Sequence, residues 1–98
     1  MPGRRNDDLA VLPSYPNPFN PSTTIRYRIS TAQDIRLAVY DVQGRLVRTL
    51  VDGAATEGIH ELEWEGRDER GDAVASGIYF VRLTGETDVA TGKIVLAK

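Results

Sequence analysis

From residue 23 onward, apolar and polar positions alternate along the chain. Ile25, Tyr27 and Ile29 are separated by Arg26 and Arg28, the period-2 pattern of a strand with one buried and one wet face. The alternation returns at residues 35–40, where Ile35, Leu37 and Val39 oppose Arg36, Ala38 and Tyr40. It returns again at 59–64, with His60, Leu62 and Trp64 against Ile59, Glu61 and Glu63. In residues 77–84, Tyr79, Val81 and Leu83 alternate with Ile78, Phe80 and Arg82, and a last strand is predicted over about 89–96. Residues 45–51 are less regular. Leu46, Val47, Leu50 and Val51 cannot share one face, which predicts a bulge. Residues 9–12 form a short apolar run ended by Pro13, fit for a brief edge strand.

Turn chemistry separates these runs. Asp41-Val42-Gln43-Gly44 reads as a hairpin turn, with Asp41 able to bond backbone two residues on and Gly44 supplying positive φ. Residues 30–34 read as a loop, 52–58 as a small-residue loop and 65–76 as the longest irregular stretch, and a turn falls around Gly85. Seven short strands without a helix predict an all-β domain, a seven-stranded antiparallel β-sandwich of Ig or fibronectin-III type over residues 9–98. Residues 1–8 are polar and are expected to be a disordered linker. In such a sandwich the strand at 23–29 lies beside that at 59–64, so Arg26 and Arg28 can face Glu61 and Glu63. The strands at 35–40 and 77–84 should also be neighbours. That places Ala38, Tyr40, Ile78 and Phe80 on an apolar exterior, a patch that could dock a preceding domain or a partner.

Tyr15-Pro16-Asn17-Pro18-Phe19-Asn20-Pro21-Ser22 breaks the alternation. Its prolines remove backbone donors and push Tyr15, Asn17 and Asn20 away from helical geometry. The stretch is expected to form a rigid corner that delivers the chain into the strand at 23–29, with Phe19 as its apolar anchor.

Charge and composition narrow the function. Twelve basic and 14 acidic residues give a net charge of −2, which leaves no electrostatic footprint for nucleic acid or an anionic membrane. The chain of 98 residues has no cysteine, so neither disulfides nor thiolate metal sites are available. No apolar run approaches a membrane span of about 20 residues. No leader peptide is legible, so an exported domain would be the end of a longer chain with Met1 added.

Chemistry-bearing constellations are sparse. His60 shares its face with Leu62 and Trp64 and reads as a core or rim histidine. Ser14, Ser22, Ser30 and Ser76 lie in turns without a nucleophile-elbow context. Glu65, Asp68, Glu69 and Asp72 are the best oxygen ligands for a Ca²⁺ ion, but their spacing matches no helix-loop-helix calcium site and Arg67 and Arg70 offset their charge. No metal, cofactor or catalytic residue is expected. A carbohydrate-binding module would need several coplanar exposed aromatics, for which only Tyr40 and Phe80 remain.

Residues 15–29 resemble the opening motif of type A C-terminal sorting domains of the type IX (Por) secretion system. The resemblance continues in Val39-Tyr40-Asp41-Val42-Gln43-Gly44-Arg45, in Gly58-Ile59-His60-Glu61-Leu62-Glu63-Trp64, in residues 75–83 and in Lys93-Ile94-Val95-Leu96. The middle portion, residues 39–83, is also similar to the Ig-like domain of flagellar hook-capping proteins. The sorting-domain resemblance implies a non-catalytic module at the end of an exported cargo protein. Such a module is recognised by the outer-membrane translocon after passage through the periplasm, and is then removed by a sortase-like protease as the cargo reaches the cell surface. It implies recognition by Pro16, Asn17, Pro18, Phe19 and Asn20 and by the C-terminal segment, where Lys93 and Lys98 are the chain's only lysines. Gly44 and Gly77 match family glycines, and Pro13-Ser14 departs from the Gln-Asn common at that place. A generic Ig-like structural or assembly module is the alternative.

Overall fold

The computed structural model describes residues 8–98. Of the predicted linker, residues 1–7 lie outside the described residues, while the Asp8 carbonyl accepts the Ser30 N–H at 2.8 Å and so extends the first strand pairing. Seven strands follow: β1 (Leu9–Tyr15), β2 (Thr23–Ile29), β3 (Gln33–Asp41), β4 (Leu46–Ala55), β5 (Gly58–Trp64), β6 (Gly77–Thr84) and β7 (Val89–Leu96). They form a three-stranded sheet in the order β1-β2-β5 and a four-stranded sheet in the order β4-β3-β6-β7, all laddered pairs being antiparallel. This is the Ig-like sandwich that the alternation predicts.

The alternating faces meet where expected. Ile25 and Ile29 from one sheet, and Leu37, Val39, Val81 and Leu83 from the other, are sealed from solvent, with Trp64 among them at 2% exposure. Each fully buried side chain of this size contributes roughly 1.5–3 kcal/mol relative to exposure. Two glycines let the sheets approach. A Cβ on Gly92 of β7 would lie 2.7 Å from Val11 Cγ1 of β1, and one on Gly85 would meet Leu9 and Gln33.

The ends of β1 and β4 differ from the sequence expectation. β1 runs past Pro13 to Tyr15, because the proline falls in a bulge of an edge strand, between the pairs Leu12–Arg26 and Tyr15–Thr24, where no ladder donor is lost. β4 continues through residues 52–55, read above as loop, because β3 supplies partners: Arg36 for Asp52, Ile35 for Gly53, Asp34 for Ala54 and Gln33 for Ala55. The bulge expected in β4 occurs, as register shifts against Leu37/Ala38 and Val39/Tyr40.

β2 pairs with β5 as expected, and Arg26 stands opposite Glu61 with Nε to Oε2 at 3.1 Å. This exposed pair is worth about 0.2–1 kcal/mol. The second expected pair does not form in register: Arg28 stands opposite Ile59, and Glu63 opposite Thr24. The hairpin turn forms as read, with the Gly44 N–H donating to the Asp41 carbonyl and φ of Gly44 at 83°.

Candidate functional site

The proline stretch is a strap across the edge of the four-stranded sheet. Its bonds Tyr15-Pro16, Asn17-Pro18 and Asn20-Pro21 are cis. β7 is an edge strand, and its free polar groups would otherwise face solvent. Asn17 Nδ2 donates to the Lys93 carbonyl at 3.1 Å, and the Val95 N–H donates to Asn17 Oδ1 at 2.9 Å. The Phe19 N–H donates to the Val95 carbonyl at 2.8 Å, and the Ala97 N–H donates to the Phe19 carbonyl at 2.9 Å. Phe19 thereby forms a parallel bridge with Leu96. The Thr23 hydroxyl closes the strap on its own side by donating to the Pro16 carbonyl at 2.8 Å.

Below the strap, Phe19 is 2% exposed and its ring lies 5.7 Å from that of Trp64, which in turn meets Tyr79 edge-on at 5.6 Å. Trp64 Nε1 donates to the Arg67 carbonyl and the Tyr79 hydroxyl to the Ala75 carbonyl, so the polar tips of both buried rings have partners. Burial raises the Tyr79 phenol above its ordinary pKa, and the nearby Asp41 charge adds to this. Gly66, which the sequence reading passed over, lies under the strap: a Cβ there would come within 3.1 Å of the Pro21 carbonyl oxygen. Its signal was present only as one glycine in a loop rich in turn residues.

The motif-matched residues therefore divide. Pro18 and Asn20 are exposed on the strap's outer surface, Asn17 is exposed yet holds backbone on both sides of Ile94, and Phe19 is core. The Lys98 backbone N–H donates to Ser76 Oγ, and its ammonium reaches the Val74 carbonyl. Lys93 offers its carbonyl to the strap, while its side chain is exposed on the outer face of β7. The corner and the terminal segment, about 75 positions apart in the sequence, are one surface.

The outer face of the four-stranded sheet is the second feature. Across it Tyr40 stands opposite Phe80, Phe80 opposite Lys93, and Ile78 opposite Val95. Tyr40 and Phe80 are half-buried and Ile78 is 41% exposed, so these side chains share one face that is only partly open to solvent. Ala38, expected outside, is only 1% exposed. Arg36 Nη1 donates to the Tyr40 hydroxyl at 2.9 Å and Nη2 to Thr49 Oγ1 at 3.2 Å. Residue 38 lies between 36 and 40 on this face and stands opposite both Thr49 and Arg82, so an alanine there is flanked by larger side chains on every side. Arg82 covers the Tyr40 ring from 5.9 Å, a contact worth roughly 0.5–1 kcal/mol.

The acidic loop serves the backbone. Asp68 Oδ1 accepts the N–H groups of Arg70 and Asp72, and Glu69 Oε2 accepts the Thr49 N–H at 2.6 Å, tying the loop to β4. Among the described residues no three His, Cys, Asp or Glu side chains gather to hold a metal ion. His60 stacks on Tyr27 at 5.2 Å and its Nε2 lies 2.8 Å from the Thr56 carbonyl, the rim position its neighbours predict. Asp41 accepts the Arg45 and Gln43 N–H groups and the Arg45 guanidinium. The Arg45 N–H is the largest influence holding its carboxyl below the ordinary aspartate value.

Known proteins share this architecture. The latent PorU of Porphyromonas gingivalis superposes with a TM-score of 0.74 at 24% identity, over 91% of this chain and 9% of that one. FlgD of Pseudomonas aeruginosa follows at 0.62 and 19% identity, over 92% and 67% of the two chains. PorZ of P. gingivalis, an essential surface component of the type IX secretion system, gives 0.61 at 22% identity, over 90% of this chain and 11% of PorZ. In sequence, 53 residues are 34% identical to the basal-body rod modification protein FlgD of Salmonella typhimurium, over 54% of this chain and 23% of that protein. The chain thus spans about a quarter of the length of that relative. The model of the FlgD Ig-like domain matches residues 21–88, more than half of the chain, and the chain belongs to that family.

Proposed function

We propose that this domain works by being bound: a non-catalytic sorting signal of the type IX secretion system. It would be carried by a cargo protein through the periplasm, read by the outer-membrane machinery, and removed by a sortase-like protease at the cell surface. The observation that supports this reading is the strap. The two stretches that most resemble sorting domains, residues 15–22 and 93–98, meet through Asn17, Phe19, Val95 and Ala97. One receptor surface can therefore read both, and such a role needs no active site, metal or cofactor. Residues 9–98 fused behind a periplasmic reporter in a type IX-competent host are expected to carry the reporter to the surface. Retention in the periplasm overturns the reading. Replacing the exposed Pro18 and Asn20 with alanine separates recognition from architecture, because export then falls while the fold persists.

The family match favours a second reading, an Ig-like assembly or spacer module. That match begins at residue 21, beyond Phe19, and ends at residue 88, before β7. It rests on the body of the sandwich and not on the strap. Under this reading the fusion stays in the periplasm and the domain instead retains contact with its neighbouring domain or assembly.

A further inference from the structure

The exteriors of the two sheets carry charge differently. On the three-stranded sheet Arg26 is neutralised by Glu61 across the strands. On the four-stranded sheet Arg36, Arg82 and Lys93 are the outward cations, and among the described residues none of them makes an ion pair. Arg36 stands in the row of Thr84 and Asp52, with which it forms no salt bridge, Arg82 in the row of Ala38 and Thr91, and Lys93 in the row of Phe80. One cation per strand thus steps diagonally across β3, β6 and β7. Beside this line runs an apolar shelf of Tyr40, Phe80, Ile78 and Val95. A hollow of about 300 Å³ opens between Tyr40, Val42, Phe80, Arg82, Val89 and Thr91, with Asp41, already engaged by Arg45, at its rim.

The geometry points to a docking site for an extended protein segment in which acidic and apolar residues alternate. Diagonal neighbours on a sheet lie about 7–8 Å apart, and every second residue of an extended chain advances about 6.5 Å, so carboxylates at alternate positions match the cation line. Laid flat along that line, an extended segment points its odd and even side chains to opposite sides. Carboxylates then reach Arg36, Arg82 and Lys93 while the apolar residues cover Phe80, Ile78 and Val95. A nucleic acid or sulfated glycan would satisfy the cations and leave the shelf exposed. The strap holds Lys93 and Val95 by their backbone, whereas this site uses their side chains on the outer face, so the inference does not rest on the sorting role.

The test is an amide-resolved NMR titration of the 98-residue chain with a short peptide of alternating glutamate and leucine. Shifts confined to Tyr40, Phe80, Arg82, Lys93 and their neighbours are expected. The R82E/K93E variant should bind about tenfold more weakly or worse. K93E alone should weaken binding in the same direction, and its exposed side chain leaves the Tyr40 contacts intact. A lysine–leucine peptide should not bind, and an all-glutamate peptide should bind more weakly. No binding by the native chain, unchanged affinity in K93E, or equal binding of the all-glutamate peptide or of heparin at the same amides overturns the proposal.

Discussion

Asn17 Oδ1 accepts the Val95 N–H at 2.9 Å, joining positions 78 apart in the chain. With the opposite bond from Nδ2 to the Lys93 carbonyl, one exposed side chain holds the strap to the edge of β7. Asn17→Ala is expected to cost about 1–2 kcal/mol, the net worth of two such bonds. Asn17→Asp, which keeps the acceptor and loses the donor, should cost about half of that. Urea unfolding with an unchanged slope is the measurement, and a wild-type midpoint for Asn17→Ala would show that Phe19 alone holds the strap.

Phe19 is the strap's apolar contribution to the core. Phe19→Ala should cost about 3–5 kcal/mol, because it removes a buried ring and leaves a hollow beside Trp64. Trp64 is the only tryptophan, so its emission reports the site directly. A red shift in the folded variant is expected, and an unshifted spectrum would mean that the pocket collapses onto it.

Gly66 and Gly44 both have positive φ, 69° and 83°, yet they should respond differently. At Gly44 a Cβ meets nothing within 4 Å, so Gly44→Ala costs only the left-handed backbone penalty, roughly 1–2 kcal/mol. Gly66→Ala adds a clash with the Pro21 carbonyl and should cost more. Equal losses in chemical denaturation would count against the packing of the strap over residue 66.

Asp41 links stability to pH. Its folded pKa lies below the ordinary value of 3.8, chiefly through the Arg45 N–H. Its contribution is therefore complete above that ordinary value and is lost as pH falls through the lower folded value. NMR titration should place the Asp41 carboxyl below the ordinary aspartate value, and Asp41→Asn should flatten the acid limb of the stability profile.

Local pattern made much of this protein legible. Period-2 alternation identified the inward faces of β2, β3, β5 and β6, and it placed Trp64 in the core, because side-chain direction in a strand is a property of neighbouring residues. Two-sheet topology then followed from strand count, and with it the neighbours β2–β5 and β3–β6. Turn chemistry located the Asp41 hairpin for the same local reason.

What alternation cannot carry is the identity of a distant partner. Residues 52–55 look like loop in isolation and become strand only because β3 lies beside them. Pro13 ends a strand on paper and is tolerated in a bulge at a sheet edge. The burial of Ala38 reflects the larger side chains that flank it, Arg36 and Tyr40 along the strand and Thr49 and Arg82 across it, not its own place in the pattern. Above all, the proline corner announces its stiffness but not its destination. Only the closed sandwich brings Asn17 and Phe19 against β7, because that edge strand is the place where their backbone and amide groups find partners.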